Sequence, residues 1–274
     1  MRSINCKGKL IDLNSPQVMG IMNLTPDSFY DGGRLINDQE ILLHAEKLIN
    51  EGATFIDIGG YSSRPNAKHI SEKEELKRVI PVINMIIDKF PNALISIDTF
   101  RSKVAKHAIQ SGACMINDIS AGNMDEKMFQ TVAELQVPYI IMHMKGTPQT
   151  MQKNPTYDNI IQEIIFYFSQ KISELRSLGV NDLIIDVGFG FGKTIQQNYI
   201  LLKNLSLFKS LEVPILTGVS RKSMLYKMID ASAHDALNVT TVANTIALMN
   251  GTNILRVHDV KETIEAIKII NALE

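Results

Sequence analysis

Short apolar runs recur along the chain, and each ends in a polar or catalytic-looking residue. The eight runs read VMGIMN, TFIDIGG, LISIDT, CMINDIS, PYIIMHM, DLIIDVG, PILTGVS and NILRVHD. Runs of this kind, rich in β-branched residues, are typical of strands buried on both faces of a parallel sheet. Segments with helical periodicity separate most of them, among them ILLHAEKLIN, DNIIQEIIFYFSQKISEL and TVANTIALMN. The alternation predicts an α/β fold, a (β/α)₈ TIM barrel.

The length of the chain fits one such barrel. Its 274 residues are close to the roughly 250 that the fold needs, and no linker interrupts the pattern. We therefore expect a single domain over residues 1–274, with an N-terminal extension at 1–17 and the barrel at 18–274. The extension alternates around Lys7-Gly8-Lys9 and predicts a small hairpin that closes the bottom of the barrel.

Composition excludes several classes of protein. The net charge of -1 argues against a nucleic-acid-binding surface, and no run is long enough for a membrane span. The first residues lack the apolar core of a signal peptide. Cys6 and Cys114 lie far apart in sequence, so we expect reduced thiols and a cytoplasmic protein.

Polar residues at the strand ends form the first candidate site. Asp98, Asn117 and Asp186 follow the third, fourth and sixth runs. One such residue could cap a helix, but three from different strands converge at the carboxyl end of a closed barrel. Converging carboxylates and an amide suit a flat, nitrogen-rich heterocycle, since a carboxylate can accept two N–H bonds from an amino-pyrimidine edge.

Asn23, at the end of the first run, has two interpretations. Taken alone it is better explained by an Asx-turn onto Thr25-Pro26. The alternative is an amide oxygen that binds a hard cation or a metal held by phosphate.

The glycine-rich segment DVGFGFGKT invites a nucleotide-binding interpretation but does not match the motifs. A P-loop needs glycine where Val187 stands, and the spacing also fails the dinucleotide fingerprint. ATP binding is therefore disfavoured. We expect a tight loop with Phe191 as a wall of a pocket, and Met142 as an adaptable apolar wall. His143 has no Cys or His at metal-ligand spacing, which argues against zinc.

The last two runs predict an anion site. GVSRKS supplies Lys222 and Ser223 where a helix begins, and barrels often bind phosphate after their seventh and eighth strands. Arg256 and His258 alternate along the eighth strand and can both point inward. Arg256 could instead pair with Asp259 or a neighbouring loop, but we favour an anionic or π-rich partner for a buried guanidinium.

Three connections are long enough to be lids or clamps over the active face. They span 23–34, 59–69 and 143–157, and each follows a strand.

From residue 18 to residue 260 the chain resembles the dihydropteroate synthases, the folate-pathway enzymes that sulfonamides target. The shared motifs occur in the family's order and read MNLTPDSFYDGG, GGYSSRP, SIDTF, INDIS, MHMKGTPQTMQ, DVGFGFGK, GVSRKS and LRVHDV. The resemblance implies a transferase that joins 6-hydroxymethyl-7,8-dihydropterin pyrophosphate to p-aminobenzoate and releases pyrophosphate, with Mg²⁺ as cofactor. It also implies a homodimer, and the apolar late helices around TVANTIALMNG and TIEAIKIINAL would permit one.

The resemblance assigns a role to each motif residue. The pterin would be bound by Asp98, Asn117, Met142, Asp186, Phe191, Gly218, Lys222 and Arg256. The pyrophosphate would be bound by Asn23, Ser63, Arg64, Arg256 and His258, with Asn23 reaching it through the metal. The p-aminobenzoate pocket would be formed by Phe29, Pro65, Lys222 and Ser223.

The implied mechanism is a dissociative substitution. Mg²⁺, Arg64 and His258 would stabilise the leaving pyrophosphate, and Asp98 would stabilise a cation-like pterin methylene. The catalytic set is then Asn23, Arg64, Asp98, Lys222 and His258.

The chain departs from the family pattern at a few positions. Many members carry Glu and Thr where this chain has Tyr61 and Ser63, and proline where it has Val187. Ser63 keeps the hydroxyl, whereas Tyr61 replaces a charge and would alter how its loop closes. No insertion stands beside Phe29 or between Tyr61 and Pro65, so we expect sensitivity to sulfonamides.

Two other functions compete with this one. A methyltetrahydrofolate methyltransferase shares the pterin-binding Asp/Asn pattern but has no pyrophosphate to bind, which the residues Asn23, Arg64 and His258 disfavour. A barrel that has lost activity and acts as a binding subunit would show a broken motif, and none is evident.

Overall fold

Eight parallel strands close into a barrel in the computed structural model, which describes residues 3–24, 38–62, 69–152 and 155–273. Around the barrel each strand pairs with the next in sequence, and the last strand closes on the first. The predicted (β/α)₈ barrel is confirmed. The barrel strands are β3 Gln17–Asn23, β4 Phe55–Gly59, β5 Leu94–Asp98, β6 Met115–Asp118, β7 Tyr139–Met142, β8 Leu183–Asp186, β9 Ile215–Thr217 and β10 Ile254–Val257.

Helices follow the strands and cover the outside of the barrel. Several begin at a side-chain cap: Ser71 accepts from the amide of Glu74, and Thr194 forms a capping box with Gln197. Among the described residues, no helix has the length and apolar character that a membrane crossing requires. The helices are α1 Asp38–Asn50, α2 Glu72–Lys89, α3 Ser102–Gln110, α4 Met128–Leu135, α5 Ile160–Ser177, α6 Ile195–Lys203, α7 Ser223–Tyr226, α8 Leu237–Met249 and α9 Val260–Asn271.

The predicted N-terminal hairpin is present and covers the bottom of the barrel. Strands β1 (Ser3–Cys6) and β2 (Lys9–Asp12) are antiparallel. Lys7 and Gly8 both have positive φ, 55° and 81°, as a tight two-residue turn requires. The hairpin's apolar side packs on one inward residue from each barrel strand, and we call this cluster the barrel floor. Its members are Ile4, Cys6, Ile11, Leu13, Met19, Phe55, Leu94, Cys114, Met115, Ile140, Ile184, Leu216 and Ile254.

The floor residues show which positions of each strand face the interior of the barrel. Side chains alternate between the two faces of a strand, so the residues two positions beyond the floor also point inward. In β4, β6, β8 and β10 those residues are polar rather than apolar: Asp57, Asn117, Asp186 and Arg256. The interior therefore changes from an apolar floor to a polar layer near the carboxyl ends of the strands. We call these four residues, with Asp98 at the end of β5, the charged layer.

Candidate active site

The guanidinium of Arg256 connects the carboxylates of the charged layer. The Nε atom of Arg256 donates to Asp57 Oδ2 at 2.6 Å, and its Nη2 atom donates to Asp98 Oδ2 at 2.7 Å. Asn117 Nδ2 also donates to Asp57 Oδ2, at 3.0 Å. One connected network therefore joins β10, β4, β5 and β6 across the inside of the barrel.

The suggestion that Arg256 pairs with Asp259 is wrong. Asp259 instead receives two hydrogen bonds from Arg221, from Nε at 2.9 Å and from Nη2 at 2.7 Å. The reason is strand alternation: Arg256 points into the barrel, whereas Asp259 stands beyond the strand, at the N-terminus of α9.

Asp57 is a site residue that the sequence reasoning missed. Its side chain is fully buried, and its Oδ2 atom receives both Arg256 and Asn117. Its Oδ1 atom is buried and has no hydrogen-bond partner within the protein, which leaves an acceptor for a ligand N–H. A carboxylate in an otherwise apolar strand, in the same inward phase as Asn117, was the available signal.

Burial governs the ionisation of this layer. Removal from water raises the pKa of Asp98 and of Asp186, and Arg256 and Lys222 respectively oppose that rise. Burial also lowers the pKa of Lys222 to about 8, against the opposing effect of Asp186. For Arg256 the same burial is outweighed by Asp57 and Asp98, which raise its pKa. The site thus brings the carboxyl groups of Asp57, Asp98 and Asp186 close to two cations, Arg256 and Lys222.

The glycine-rich loop after β8 folds back over the charged layer. The amide of Gly188 donates to Asp186 Oδ1 at 2.8 Å. A Cβ at Gly188, where φ is 70°, would lie 2.0 Å from the carbonyl oxygen of His143, so only glycine fits. Lys222 donates from Nζ to the carbonyl of Phe189, and its ammonium lies 4.9 Å from the ring centroid of Phe191. Phe191 and Lys222 therefore face one another beside Asp186.

Lys193 holds this loop in place, a role that the sequence reasoning also missed. Its buried ammonium donates to the carbonyls of Gly188 and Phe191, both at 2.9 Å, and to that of His143 at 3.2 Å. It also lies 3.1 Å from Nδ1 of His143. Burial, with Lys193 and Lys145 adding to it, lowers the pKa of His143 to about 2. The Lys193 ammonium therefore stabilises the backbone conformation of this loop.

Apolar side chains form one wall above the layer. Met142 lies next to Asp186 in the β7–β8 register and belongs to a buried cluster with Tyr61 and Phe100. Gly218 is buried, and a Cβ there would lie 3.9 Å from Asp186 Oδ2. Phe191 packs against the same cluster. The residues that the sequence proposed as walls thus gather on one side of the layer.

His258 is fixed by a serine that the sequence reasoning did not single out. Ser220 Oγ lies 3.0 Å from His258 Nδ1 and accepts from the His258 amide at 3.2 Å. The next residue, Arg221, has φ of 55°, and its two bonds to Asp259 hold this unfavourable backbone. Lys222 and Ser223 follow at the start of the short helix α7. The β9 and β10 ends thus meet at one corner of the active face.

Several predicted residues are placed less fully. Phe29, Ser63, Arg64 and Pro65 lie outside the described residues, as does most of the first two predicted clamps. Asn23 is half-buried at the end of β3, opposite Gly59 in the register. Ser223 is exposed.

In the part of the chain that the structure describes, few side chains are placed to bind a divalent cation. Within the described ranges, no group of three or more His, Cys, Asp or Glu side chains could hold a metal ion. Asn23 offers one hard oxygen. Mg²⁺ keeps several waters and is often held by one or two protein ligands plus substrate phosphates. One amide oxygen therefore fits a magnesium ion that arrives with a phosphorylated substrate, and does not fit a permanent protein-bound metal.

A family model, relatives in sequence and solved structures all show similarity of this chain to the same family. The family model described as "Pterin binding enzyme" matches residues 19–258. The dihydropteroate synthase of Haemophilus influenzae is 42% identical over 96% of each chain. Among solved structures, a Yersinia pestis dihydropteroate synthase with a sulfonamide drug is 41% identical, with a TM-score of 0.94 over 99% of this chain and 98% of that one. A Xanthomonas albilineans dihydropteroate synthase with 7,8-dihydropteroate is 35% identical, with a TM-score of 0.89 over 99% and 98%.

These similarities extend over almost the whole of both chains and include the strand ends that carry the charged layer. The chain belongs to the pterin binding enzyme family and, within it, to the dihydropteroate synthases, transferases of folate biosynthesis.

Proposed function

We propose that this protein joins 6-hydroxymethyl-7,8-dihydropterin pyrophosphate to p-aminobenzoate, forming 7,8-dihydropteroate and releasing pyrophosphate. The hydrogen-bonded network of Arg256, Asp57, Asp98 and Asn117 is the observation that carries the proposal. It offers carboxylate and amide groups beside a planar cation inside a closed barrel. A pterin is flat and presents several N–H donors on one edge.

The pterin would lie across the charged layer. Asp186 and Asn117 would bind its amino-pyrimidine edge, and the unpartnered Oδ1 of Asp57 would be a further acceptor on that side. Lys222 would donate to a ring nitrogen or carbonyl. Arg256 is oriented by two carboxylates, so its guanidinium plane can stack on the ring. Met142, Phe191 and Gly218 would line the rest of the pocket.

The pyrophosphate would lie at the corner where β9 and β10 end. His258 is held there by Ser220, and Arg64, Ser63 and Arg256 would add donors. Asn23 would hold Mg²⁺, which when bound supplies positive charge to the pyrophosphate oxygens. With Mg²⁺, these residues would place positive charge where the leaving group develops negative charge, which favours departure.

The reaction is a dissociative substitution in this scheme. The bond between the pterin methylene and the pyrophosphate oxygen breaks, and the methylene becomes cation-like. Asp98 lies at the end of β5, 2.7 Å from Arg256 Nη2, and its carboxylate would stabilise that charge. The amine of p-aminobenzoate then attacks the methylene and loses a proton, so a C–N bond replaces the C–O bond.

The second substrate would bind above Lys222. Ser223, exposed at the start of α7, would receive the carboxylate of p-aminobenzoate, with Phe29 and Pro65 completing the pocket. A sulfonamide resembles p-aminobenzoate in shape and would occupy the same place. We expect inhibition that added p-aminobenzoate relieves. Inhibition that stays constant as p-aminobenzoate rises would place the drug elsewhere.

Product formation is the test of the proposal. The purified protein, given both substrates and Mg²⁺, is expected to form 7,8-dihydropteroate detectable by chromatography. Asp98→Asn removes the carboxylate charge and should lower kcat by roughly a hundredfold or more. Asp88→Asn, at an exposed position on α2, is the matched control and should retain full activity. Near-normal turnover of Asp98→Asn would remove Asp98 from the mechanism.

A cytoplasmic homodimer completes the proposal. Apolar side chains on α8 and α9 are exposed, among them Val242, Met249 and Ile269. This face could bury its apolar area against a second copy. Sedimentation velocity should then give a dimer, and Met249→Lys should shift it towards the monomer.

A further inference from the structure

We propose that Glu75 and Thr99 are positioning residues for the proposed reaction, because together they fix the turn that follows Asp98. Neither residue belongs to the charged layer. The proposal rests on the proposed function, in which the Asp98 carboxylate stabilises a cation-like methylene. It adds the residues that hold this carboxylate in place.

Glu75 is a buried carboxylate in the first turn of α2. The side chains of Glu72 and Glu74 in the same turn are 40% and 45% exposed, whereas the Glu75 side chain has no exposed surface. An acidic residue can stabilise a helix N-terminus from the surface, so that role does not require burial. A carboxylate removed from water must be compensated by specific partners. The partners of Glu75 therefore indicate what its burial achieves.

Both oxygens of the Glu75 carboxylate contact the turn after β5. Thr99 Oγ1 donates to Glu75 Oε1 at 2.7 Å, and Arg101 Nη1 donates to Glu75 Oε2. The Thr99 hydroxyl also accepts from the amide of Arg101 at 3.2 Å. This hydroxyl is buried, so water does not replace its bonds when it is removed. One hydroxyl thus connects the carboxylate on α2 with the backbone of the turn.

The same turn is bonded to the charged layer. Thr99 follows Asp98 directly, and the Thr99 amide donates to the carbonyl of Asn117 at 3.0 Å. Asp98 and Asn117 lie opposite each other in the register of β5 and β6. A rotation of the backbone at Thr99 would therefore displace Asp98 relative to Asn117. The position of the Asp98 carboxylate depends on this turn as well as on Arg256.

Two glycines at the end of β4 allow a close approach of β5 and α2. A Cβ on Gly59 would lie 3.4 Å from Asp98 Cβ. A Cβ on Gly60 would lie 2.8 Å from Val79 Cγ1 and 3.3 Å from Glu75 Cγ. Carbon atoms in contact prefer a separation of about 3.5–4.0 Å, so a side chain at Gly60 would push α2 away. The end of β4 thus packs against Asp98 at one residue and against α2 at the next.

A displacement of Asp98 should affect the rate more than the affinity for substrate. In the proposed reaction its carboxylate stabilises charge that exists only in the transition state, and losing such an interaction lowers kcat. A misplacement of about 1 Å can slow an enzyme by roughly a hundredfold. Glu75 and Thr99 hold the turn and do not supply the charge itself. We therefore expect a smaller effect from losing either one than from Asp98→Asn.

Thr99→Val and Thr99→Ser form the test, measured as kcat and KM for 7,8-dihydropteroate formation by the full-length protein with both substrates and Mg²⁺. Valine has the shape of threonine without the hydroxyl. Thr99→Val should lower kcat roughly tenfold, while the KM for the pterin substrate changes by less than about threefold. Serine keeps the hydroxyl, so Thr99→Ser should stay within about twofold of the kcat of the unaltered protein.

Thr252→Val is the matched control. Thr252 and Thr99 are equally buried, each 2% exposed, and the Thr252 hydroxyl lies 2.7 Å from Thr217 Oγ1. Thr252 precedes β10, at the end of the barrel opposite the charged layer. Thr252→Val should shift the urea midpoint about as much as Thr99→Val does, and it should leave kcat unchanged. An equal fall of kcat in Thr252→Val would attribute the effect to general destabilisation and overturn the positioning role.

Glu75→Gln tests whether the two residues act as one unit. The change keeps the shape of the side chain and an acceptor for Thr99, but it removes the charge that Arg101 contacts. We expect kcat to fall. Glu75→Gln combined with Thr99→Val should be little slower than the slower single variant, whereas the effects of independent residues would multiply. Multiplying effects would contradict a shared role.

Comparison with Asp98→Asn separates this proposal from the proposed function. Slow turnover in Asp98→Asn together with a normal kcat in Thr99→Val would overturn the positioning role alone. An equal fall of kcat in Thr99→Ser and Thr99→Val would do the same. Near-normal turnover of Asp98→Asn, or no product from the unaltered protein, would overturn the proposed function, and the positioning role would fall with it.

Discussion

At the scale of single residues, the candidate site depends on charges that are buried only because they are paired. Arg256 donates to Asp57 and Asp98, and Asp57 receives Asn117 as well. A buried guanidinium without a partner would be costly, whereas this one is held by two carboxylates. The network therefore sets both the position of the cation and the ionisation of its neighbours.

Asp57 can be tested by a substitution that keeps its shape. Asp57→Asn removes the charge that Arg256 Nε contacts, so we expect a loss of about 1–3 kcal/mol in the free energy of unfolding. Binding of a pterin should weaken by roughly tenfold or more, since a charge-assisted contact that orients Arg256 is lost. Urea denaturation and calorimetric titration measure the two effects. Asp88→Asn is the exposed control, and an equal effect there would refute the role of Asp57.

Lys222 predicts a pH dependence. Its pKa is lowered to about 8 by burial, despite the opposing charge of Asp186, so its ammonium is lost as pH rises through that value. We expect kcat/KM to fall above about pH 8. Lys222→Arg stays charged and should lose this alkaline decline, even if its maximal rate is lower.

The contribution of Lys222 to the free energy of unfolding should change in the opposite direction to kcat/KM over the same range of pH. Between about pH 8 and the ordinary lysine value near ~10.4, the unfolded chain binds a proton that the native Lys222 has released. The contribution of Lys222 therefore increases stability as pH rises through this window. Urea denaturation of the wild type and Lys222→Arg separates this contribution. If the contribution of Lys222 to the free energy of unfolding fell together with activity as pH rises, the lowered pKa assigned to Lys222 would be contradicted.

At the scale of elements, the strands position the chemistry and the loops complete it. The loop after β8 is shaped by Gly188, which no other residue could replace, and fastened by Lys193 through three backbone carbonyls. Together they bring Phe191 to Lys222 and bond the Gly188 amide to Asp186. The loop is thus one wall of the site and part of its electrostatics.

Lys193→Met tests the contribution of that fastening. The change removes the shared donor and leaves buried carbonyls without it, so we expect a loss of about 2–4 kcal/mol in the free energy of unfolding. The KM for the pterin substrate should rise more than kcat falls, because the loop is a wall of the pocket. Lys203→Met, at an exposed position on α6, should change neither. An unchanged KM in Lys193→Met would show that the loop does not depend on Lys193.

At the scale of the whole molecule, sequence patterns predicted the barrel because the strands are short and largely buried on both faces, and many carry a polar residue at or near the carboxyl end. The same period of two placed Asp98, Asn117 and Asp186 near one another. The catalytic and binding roles of these residues stay predictions.

What the sequence did not reveal was contact between distant segments. Asp57 was missed because its partner Arg256 lies 199 positions later in the chain, and Ser220 because only the fold brings it to His258. Lys193 lies in the glycine-rich segment, whose sequence invites comparison with phosphate-binding loops. Its ammonium instead donates to the backbone of the loop itself. Cys6 and Cys114 were correctly expected as free thiols.

The most direct test of the central claim measures pyrophosphate released from the pterin pyrophosphate with Mg²⁺, with and without p-aminobenzoate. The account predicts release that depends on p-aminobenzoate and matches the dihydropteroate formed. Release that ignores p-aminobenzoate would mean a hydrolase with a defective second site, and Tyr61 would be examined first. Tight pterin binding without any release would contradict the proposed reaction.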